Sequence, residues 1–525
     1  MAAPTPSNVS LQVLNVLTPS LTYCLQVFAQ PPAQTEEQWQ MRHQQLMREQ
    51  HERSQRRLAE LVESNSTLPI TISAVQVLGA TNTRRGFLQR LFDPIVSKTD
   101  NQFYTLREAI AAISQRVDKL SRFDIYHQPI STYIDRPDPA NPSSTPTDLD
   151  VFLSVREKSR VVASSGTWAG SNDGSVYFNV LLRNLFGGAE SLNANASFGT
   201  RTRSAYSANF DTPVLSDPDL RWEIGGLQSS TNKSWASHEE LLRGGFTKFK
   251  YMSPVSGHRH ELCYNGVWRQ ITALAEKASP AVRADAGDSF KSSITYTWIN
   301  DQRNNPLLPT SGYLVKTAAE VAGAHLGSDV AFAKVEAETQ QSMPVPIPFV
   351  KQDLGISLTT SLRGGVLCPL TLGGRPYADH SRINDRFFIG GPTDVRGFRH
   401  CGLGPHDGKD AIGGDVYAAG GASLLIPFPR VGKESPLRLQ AFVNGGRLLA
   451  LKNTKEYMKN DEVFRSVQST IAELGNQLPS MAVGLGVIYA LPVARFELNF
   501  SLPLVIRQSE DARKGLSLGV GISFL

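Results

Sequence analysis

The chain has 525 residues, 41% of them hydrophobic, with 53 basic against 48 acidic side chains and a net charge of +5. That length is too great for one small core and gives room for two or three domains. The slight basic excess is not the footprint of a nucleic-acid binder, and Cys24, Cys263, Cys368 and Cys401 lack metal or disulfide spacing, so they read as reduced structural thiols. No Lys or Arg precedes Arg42, which speaks against a secretory signal and against an arginine-rich presequence. Leu11–Ala29 has the length of a helical span. It carries Gln12, Asn15, Thr18, Pro19, Ser20, Thr22 and Gln26, so it reads as an extension before it reads as a membrane helix. Thr35–Asn65 is a strong helix former without a wide apolar stripe, either a solvated helix or an arm that orders on a partner. Residues 1–67 are therefore an N-terminal extension, partly helical or disordered.

Residues 68–158 carry a compact α/β pattern. Ile70–Leu78 reads as a strand, and Thr83–Val96 and Leu106–Phe123 read as helices, the second with Ile110, Ile113, Val117 and Leu120 at helical spacing. Ile125–Ile134 and Asp148–Val155 read as strands joined by a Pro- and Ser-rich tip, giving the order β-α-α-β-β.

From Ser159 onward helical periodicity nearly vanishes and segments of about ten residues alternate between Gly, Pro, Asn and Asp breaks. In ARFELNFSL, Phe496, Leu498, Phe500 and Leu502 share one face, and Arg495, Glu497, Asn499 and Ser501 share the other. A soluble sandwich alternates too. The run is long for a sandwich, however, and holds about sixteen segments, an even number, with apolar and polar faces as a membrane barrel has them. The sequence thus predicts a mostly β protein: a 16-stranded antiparallel transmembrane β-barrel over 159–525 behind one α/β domain. One helical insert is expected at about Lys455–Leu474.

The longest connection, roughly Arg363 to Lys409, contains RFFIGGPTDVRGFRHCGLGP. Its glycines permit tight turns and close backbone approach, and no Gly-Lys-Ser/Thr follows, so this is not a phosphate loop. A single Arg396 in a packed lumen needs a partner. Searches for Gly-x-Ser-x-Gly, His-Glu-x-x-His and Cys-x-x-Cys find nothing, and His258 and His260 read as surface histidines, so no enzyme activity is expected.

At Val395, Arg396, Gly397 and Phe398 the chain resembles the superfamily of outer-membrane β-barrel insertases and translocases, whose hallmark is this tetrapeptide on the sixth external loop. The surrounding FFIGGPTDVRGF and GLGP are similar to the mitochondrial branch, the central barrel subunit of the sorting and assembly machinery. The resemblance covers residues about 68–525 and makes the α/β unit a POTRA domain. It implies that the loop arginine docks on an inner-wall Phe/Trp-x-Asp-x-Gly pattern, matched here by Phe442, Asn444 and Gly446. Alternation independently turns Arg438, Gln440, Phe442 and Asn444 to the polar side, and with Asn444 in place of the acid the lock is expected to be weaker than a charged pair.

A barrel in lipid must close, and the seam joins its first and last strands. The first, with Val161, Val162, Ala163, Ser164, Ser165, Gly166, Thr167 and Trp168, lacks clean alternation. The last carries Gly515, Gly519 and Gly521 on one face. Weak pairing there suggests a lateral gate; the plainer reading is small residues fitting a crowded wall. Ser517, Gly519, Ile522 and Phe524 also fit the polar-x-Gly-x-x-hydrophobic-x-hydrophobic signal of mitochondrial barrel precursors. The resemblance implies insertion of β-barrel precursors by β-augmentation at that gate, with no cofactor or metal. It further implies outer-membrane lipid, peripheral metaxin-like subunits and a cristae-organising complex as partners. The expected location is the mitochondrial outer membrane with the POTRA domain in the intermembrane space. A protein-translocating channel of the same superfamily is the alternative.

Overall fold

The computed structural model describes residues 60–525, apart from 97–103, 138–144, 170–173, 324–326, 347–354, 372–379, 429–431, 433–434, 452–459, 492–493, 522–523 and 525, and scattered positions from 47 to 57. The expectations for Leu11–Ala29, for most of Thr35–Asn65 and for the side chain of Ile522 lie outside the described residues. Those described between 47 and 64 are helical and mostly exposed.

The α/β part comprises β1 (Pro69–Leu78), α1 (Arg85–Val96), β2 (Tyr104–Thr105), α2 (Leu106–Arg122), β3 (Ser131–Asp135) and β4 (Asp148–Ser154). Its sheet order is β2-β1-β4-β3. The expected β-α-α-β-β order thus gains β2, which pairs only Tyr104 and Thr105 with Ile70 and Pro69 and is too short to leave a period in the sequence. The strand expected over Ile125–Ile134 starts only at Ser131; Ile125 and Tyr126 are buried ahead of it, held by a single bridge from Tyr126 to Glu157. Helix α1 buries Phe87, Leu91, Phe92 and Ile95, the stripe a 3.6-residue period gives.

The chain clusters into two compact units, 1–73 with 98–114 and 136–149, and 74–97 with 115–135 and 150–525. Within the second, Arg84 pairs with Glu190 at 2.7 Å, Arg122 with Asp219 at 2.5 Å, and the Asn184 amide donates to the Thr83 hydroxyl at 3.2 Å. Glu157 lies in the same junction. Burial pushes its carboxyl up, but the Asn82 side chain (2.6 Å), the Thr83 hydroxyl (2.9 Å) and the Asn82 backbone N–H (3.0 Å) donate to it and hold it below the usual carboxylate range.

The rest of the second unit is one antiparallel sheet. It runs through β5 (Val161–Ala169), β6 (Gly174–Arg183), β7 (Ser191–Gly199), β8 (Thr202–Pro213), β9 (Leu220–Lys233) and β10 (His238–Met252). It continues with β11 (Arg259–Thr272), the short helix α3 (Pro280–Ala284), β12 (Gly287–Asp301), β13 (Gly312–Ala322), β14 (Phe332–Pro344) and β15 (Ser357–Pro369). After a long loop holding the small hairpin of β16 (His406–Asp407) and β17 (Asp410–Ala411) come β18 (Val416–Pro427) and β19 (Leu437–Leu449). Helix α4 (Asn460–Gly475), β20 (Ser480–Ala490), β21 (Arg495–Val505) and β22 (Gly515–Gly521) complete it. The sheet has sixteen strands in chain order from β5 to β22, each hairpin pairing with the next. Helix α4 falls where the insert was expected and packs Val463 and Val467 on Cys368.

Burial is inverted relative to a soluble protein. On β21, Arg495, Glu497, Asn499 and Ser501 are buried, while Leu498 and Phe500 are about half exposed, at 50% and 49%. On β22, Leu516 and Leu518 likewise point outward. A polar inside and an apolar outside is the wall of a β-barrel in lipid. No helix among the described residues is long and apolar enough to cross a membrane.

Two outcomes follow. Leu498→Arg should cost about 2–4 kcal/mol in lipid vesicles, read as a lowered denaturant midpoint, whereas Leu498→Phe should leave it nearly unmoved. The Glu157 contribution should be full above the usual carboxylate pKa and be lost as pH falls through its lower folded value. Hydrogen exchange of residues 82–84 along a pH series checks this, and Glu157→Gln should flatten the profile.

Candidate functional site

The loop occupies 370–415, not the expected Arg363 to Lys409. Strand β15 runs through Arg363, and Gly364 and Gly365, which read as loop glycines, pair with Ala418 and Tyr417. Gly365 is needed because a side chain there would meet the Phe387 and Tyr417 rings within 2.7 Å.

The tetrapeptide is buried in the lumen: Val395, Arg396 and Phe398 are 0%, 1% and 3% exposed. Gly397 has φ +90°, and a β-carbon there would sit 2.7 Å from Ala482 Cβ. Both conformation and space therefore require glycine. Val395 packs over Gly446, where a β-carbon would meet it at 3.2 Å.

Arg396 makes a forked contact with Glu497, Nε to Oε2 at 3.0 Å and Nη2 to Oε1 at 3.2 Å. Its guanidinium also lies over the Phe442 ring at 4.9 Å. Of the three dock residues, Phe442 and Gly446 meet the motif. Asn444 does not bind the arginine, since neither of its amide atoms makes a hydrogen bond. The acid comes instead from β21, two strands further along the same inner wall. The signal for it was in the sequence: Glu497 is the acid on the polar face of ARFELNF, flanked there by Arg495 and Asn499. Both neighbours bind it, Arg495 as an ion pair and Asn499 Nδ2 by donating at 2.7 Å.

The loop is fastened at other points that the motif alone does not reveal. Arg363 pairs with Asp394 at 2.9 Å, both half-buried, and Arg269 pairs with Asp385 at 2.6 Å, both buried. Asp410 accepts from the Ser237 hydroxyl and from Ser279 N–H. Each partner lies far off in sequence, so only the folded wall brings them together.

The motif also touches the segment that feeds the last strand. Arg513 N–H donates to the Gly397 carbonyl at 2.9 Å, Arg399 N–H to the Asp511 carbonyl at 3.0 Å, and Asp511 N–H to the Gly402 carbonyl at 2.8 Å. Gly402 has no room for a side chain, because a β-carbon would lie 2.8 Å from that Asp511 carbonyl. On β22, Gly519 and Gly521 face Pro392, Thr393 and the Phe524 ring. Phe524 is buried, 4.8 Å from the Arg495 guanidinium and 6.0 Å from that of Arg396. Ser517 donates to the Asn499 carbonyl.

The seam itself lies between β5 and β22. Val161 through Ala169 pair with β6, and Gly515 through Gly521 pair with β21. Among the described residues no ladder joins β5 to β22. On β5, Val161, Val162, Ala163, Ser164, Ser165 and Thr167 are exposed and Gly166 is half-buried; Trp168 belongs to the strand.

His258 and His260 sit in an aromatic band, His258 edge-on to Trp298 and His260 bonded to the Tyr296 hydroxyl at 2.8 Å. The described residues hold no group of three metal-ligating side chains.

Comparison with known proteins agrees with this geometry. The Omp85 superfamily domain model matches residues 184–524. The chain is 38% identical over 471 residues to a SAM50-like protein of Schizosaccharomyces pombe, covering 89% of this chain and 94% of that one. It is 32% identical over 413 residues to the human sorting and assembly machinery component 50 homolog, covering 78% and 81%. Its fold is similar to that of BamA from Haemophilus ducreyi lacking POTRA domains 1-3, with a TM-score of 0.63 at 15% identity over 86% of this chain and 84% of that one.

Breaking a buried ion pair costs roughly 3–5 kcal/mol. Because two guanidinium groups share one carboxylate, Glu497→Gln should lower the thermal unfolding midpoint more than Arg396→Gln. Replacing Arg396 and Glu497 together by apolar residues should not restore it, since Arg495 then stays buried without its acid. Heat-dependent gel migration of the folded barrel reads all three.

Proposed function

Because the chain belongs to the Omp85 superfamily, and within it to the sorting and assembly machinery component 50 family, we propose that it inserts and assembles β-barrel precursors in the mitochondrial outer membrane. It is an outer-membrane β-barrel and not an enzyme. The observation that carries the reading is the seam, where the outer edge of β5 is free of any ladder to β22 among the described residues.

A precursor's terminal strand brings its own unpaired backbone donors and acceptors, and an open strand edge supplies the match. The client pairs with Val161–Trp168 and grows hairpin by hairpin, shielded from lipid, while β22, with Ser517, Gly519, Gly521, Ile522 and Phe524, yields its place. The loop motif Val395–Phe398 braces the wall next to that opening. The work needs backbone pairing and a rigid frame, without a nucleophile or cofactor.

Residues 68–158 are the POTRA domain of this reading, facing the intermembrane space, with 1–67 as an extension before it and 159–525 as the barrel. Peripheral metaxin-like subunits on the cytosolic side, a cristae-organising complex and outer-membrane lipid are its further partners.

Single cysteines placed along 161–168, in a chain freed of its native thiols, test this against a barrel precursor arrested during import. Disulfides to the precursor's last strand in alternating register are expected. Disulfides confined to lumen positions such as Arg438 and Gln440 would mean that the client passes through the pore, and the chain would be a translocating channel.

A further inference from the structure

Helix α4 stands on the outer wall of the barrel, and alternation along β15 and β19 decides this. Leu367 shares a core cluster with the loop residues Val395 and Phe398, so it faces the lumen, and its neighbours Val366 and Cys368 face outward. Val463 and Val467 of α4 pack against that outward pair, joined by Leu370 and Leu451. On β19, Gly446 and Leu448 face the lumen, and Arg447 between them faces outward. That arginine points to the lipid side of the wall yet is only 3% exposed. The end of α4 covers it. Arg447 Nη1 donates to the Glu473 carbonyl, Nη2 donates to the Gln477 side-chain oxygen at 3.3 Å, and the Glu473 carboxylate lies 3.9 Å away. The unpaired carbonyls and the negative dipole end of a helix C-terminus suit such a cation.

Beside its wall-facing row α4 leaves an apolar flank open. By helical rotation Phe464 and Ile471 stand on one side of Val463, Val467 and Thr470, and Glu462 and Glu473 stand on the other. Phe464 is 53% exposed and Ile471 46%. Asp461, Arg465 and Ser469 on the far face are exposed too. The wall around the helix is still apolar at this level: Val335, which pairs with Val366, is 52% exposed, and Leu362 on β15 is 59% exposed. The open flank therefore continues the lipid-facing band. An apolar arc backed by a charged and polar face is the pattern of a helix that lies in a membrane interface. We propose that α4 docks on the lipid surface at the end of the barrel that carries the 370–415 loop. Phe464 and Ile471 enter the bilayer interface, the acidic flank stays in water, and Arg447 is sealed between helix and wall. Wall and lipid together bury the whole apolar arc, which sets the depth at which the sector β15 to β19 sits in the membrane.

The test uses the full chain, freed of its native thiols, in phosphatidylcholine vesicles. Phe464→Cys, Ile471→Cys and Ser469→Cys, one per chain, each carry an environment-sensitive fluorophore. Heat-dependent migration confirms that each variant is folded, and should Phe464→Cys fail to fold, Ile471→Cys gives the same readout. Labels at 464 and 471 are expected to be quenched several-fold more by lipid spin-labelled near the head of its acyl chain than by iodide in the water. The label at 469 should show the reverse. Iodide that quenches 464 and 471 as strongly as 469 would overturn the proposal, because the flank then stands in water. Labels at 464 and 471 shielded from both quenchers would overturn it as well, because the flank then packs on protein, a second copy of the chain included.

Discussion

A carboxylate fully withdrawn from solvent inside a barrel persists only if its charge and its lone pairs are answered. Glu497 is answered three times, by the guanidinium groups of Arg396 and Arg495 and by the Asn499 amide. The rest of the site depends on that arrangement. Arg396 belongs to the loop and Arg495 to the wall, so one acid ties the longest connection of the chain to its penultimate strand. Phe442 and Phe524 place ring faces against the same cations, which links the dock on β19 and the buried Phe524 to the same centre.

The physical division of labour in the molecule follows from this. The barrel strands between β5 and β22 are each paired on both sides, whereas β5 and β22 each have one paired edge among the described residues. In lipid an unpaired edge is costly, and the lumen compensates with a loop that is bonded to the 506–514 turn and fastened at Asp385, Asp394 and Asp410. In the proposed reading, that loop and the Glu497 centre brace the wall beside the edge that opens to a client strand. The weak alternation of β5 and the glycines of β22 belong to that edge.

The barrel was legible because its period is simple: apolar and polar residues alternate at every second position, and ARFELNFSL alone displays both faces. The tetrapeptide and the inward parity of Phe442 were legible for the same reason. What the sequence could not supply was pairing across distance. Glu497 and Asn444 are both polar residues on inward faces, and only the register of β19, β20 and β21 decides which one stands opposite Arg396. Strand β2 is too short to carry a period. The Arg363-Gly-Gly stretch has the composition of a turn and is strand because Phe387 and Tyr417 fill the space that the glycine leaves. The α/β segment was bounded at 158 by the onset of alternation, and the polar contacts of Arg84, Arg122 and Asn184 continue past that boundary.

The central claim is that the seam must part for a client strand to enter. Its most direct test is a disulfide between β5 and β22, found by screening cysteine pairs along Val161–Thr167 and Leu516–Val520 in a chain without other thiols. Assembly of a newly imported barrel precursor would be followed in organelles carrying that chain, before and after reduction. Assembly blocked in the oxidised state and restored by reductant is the predicted result. Assembly at the same rate in both states would contradict the account, because a client that needs no opening at the seam is not templated there.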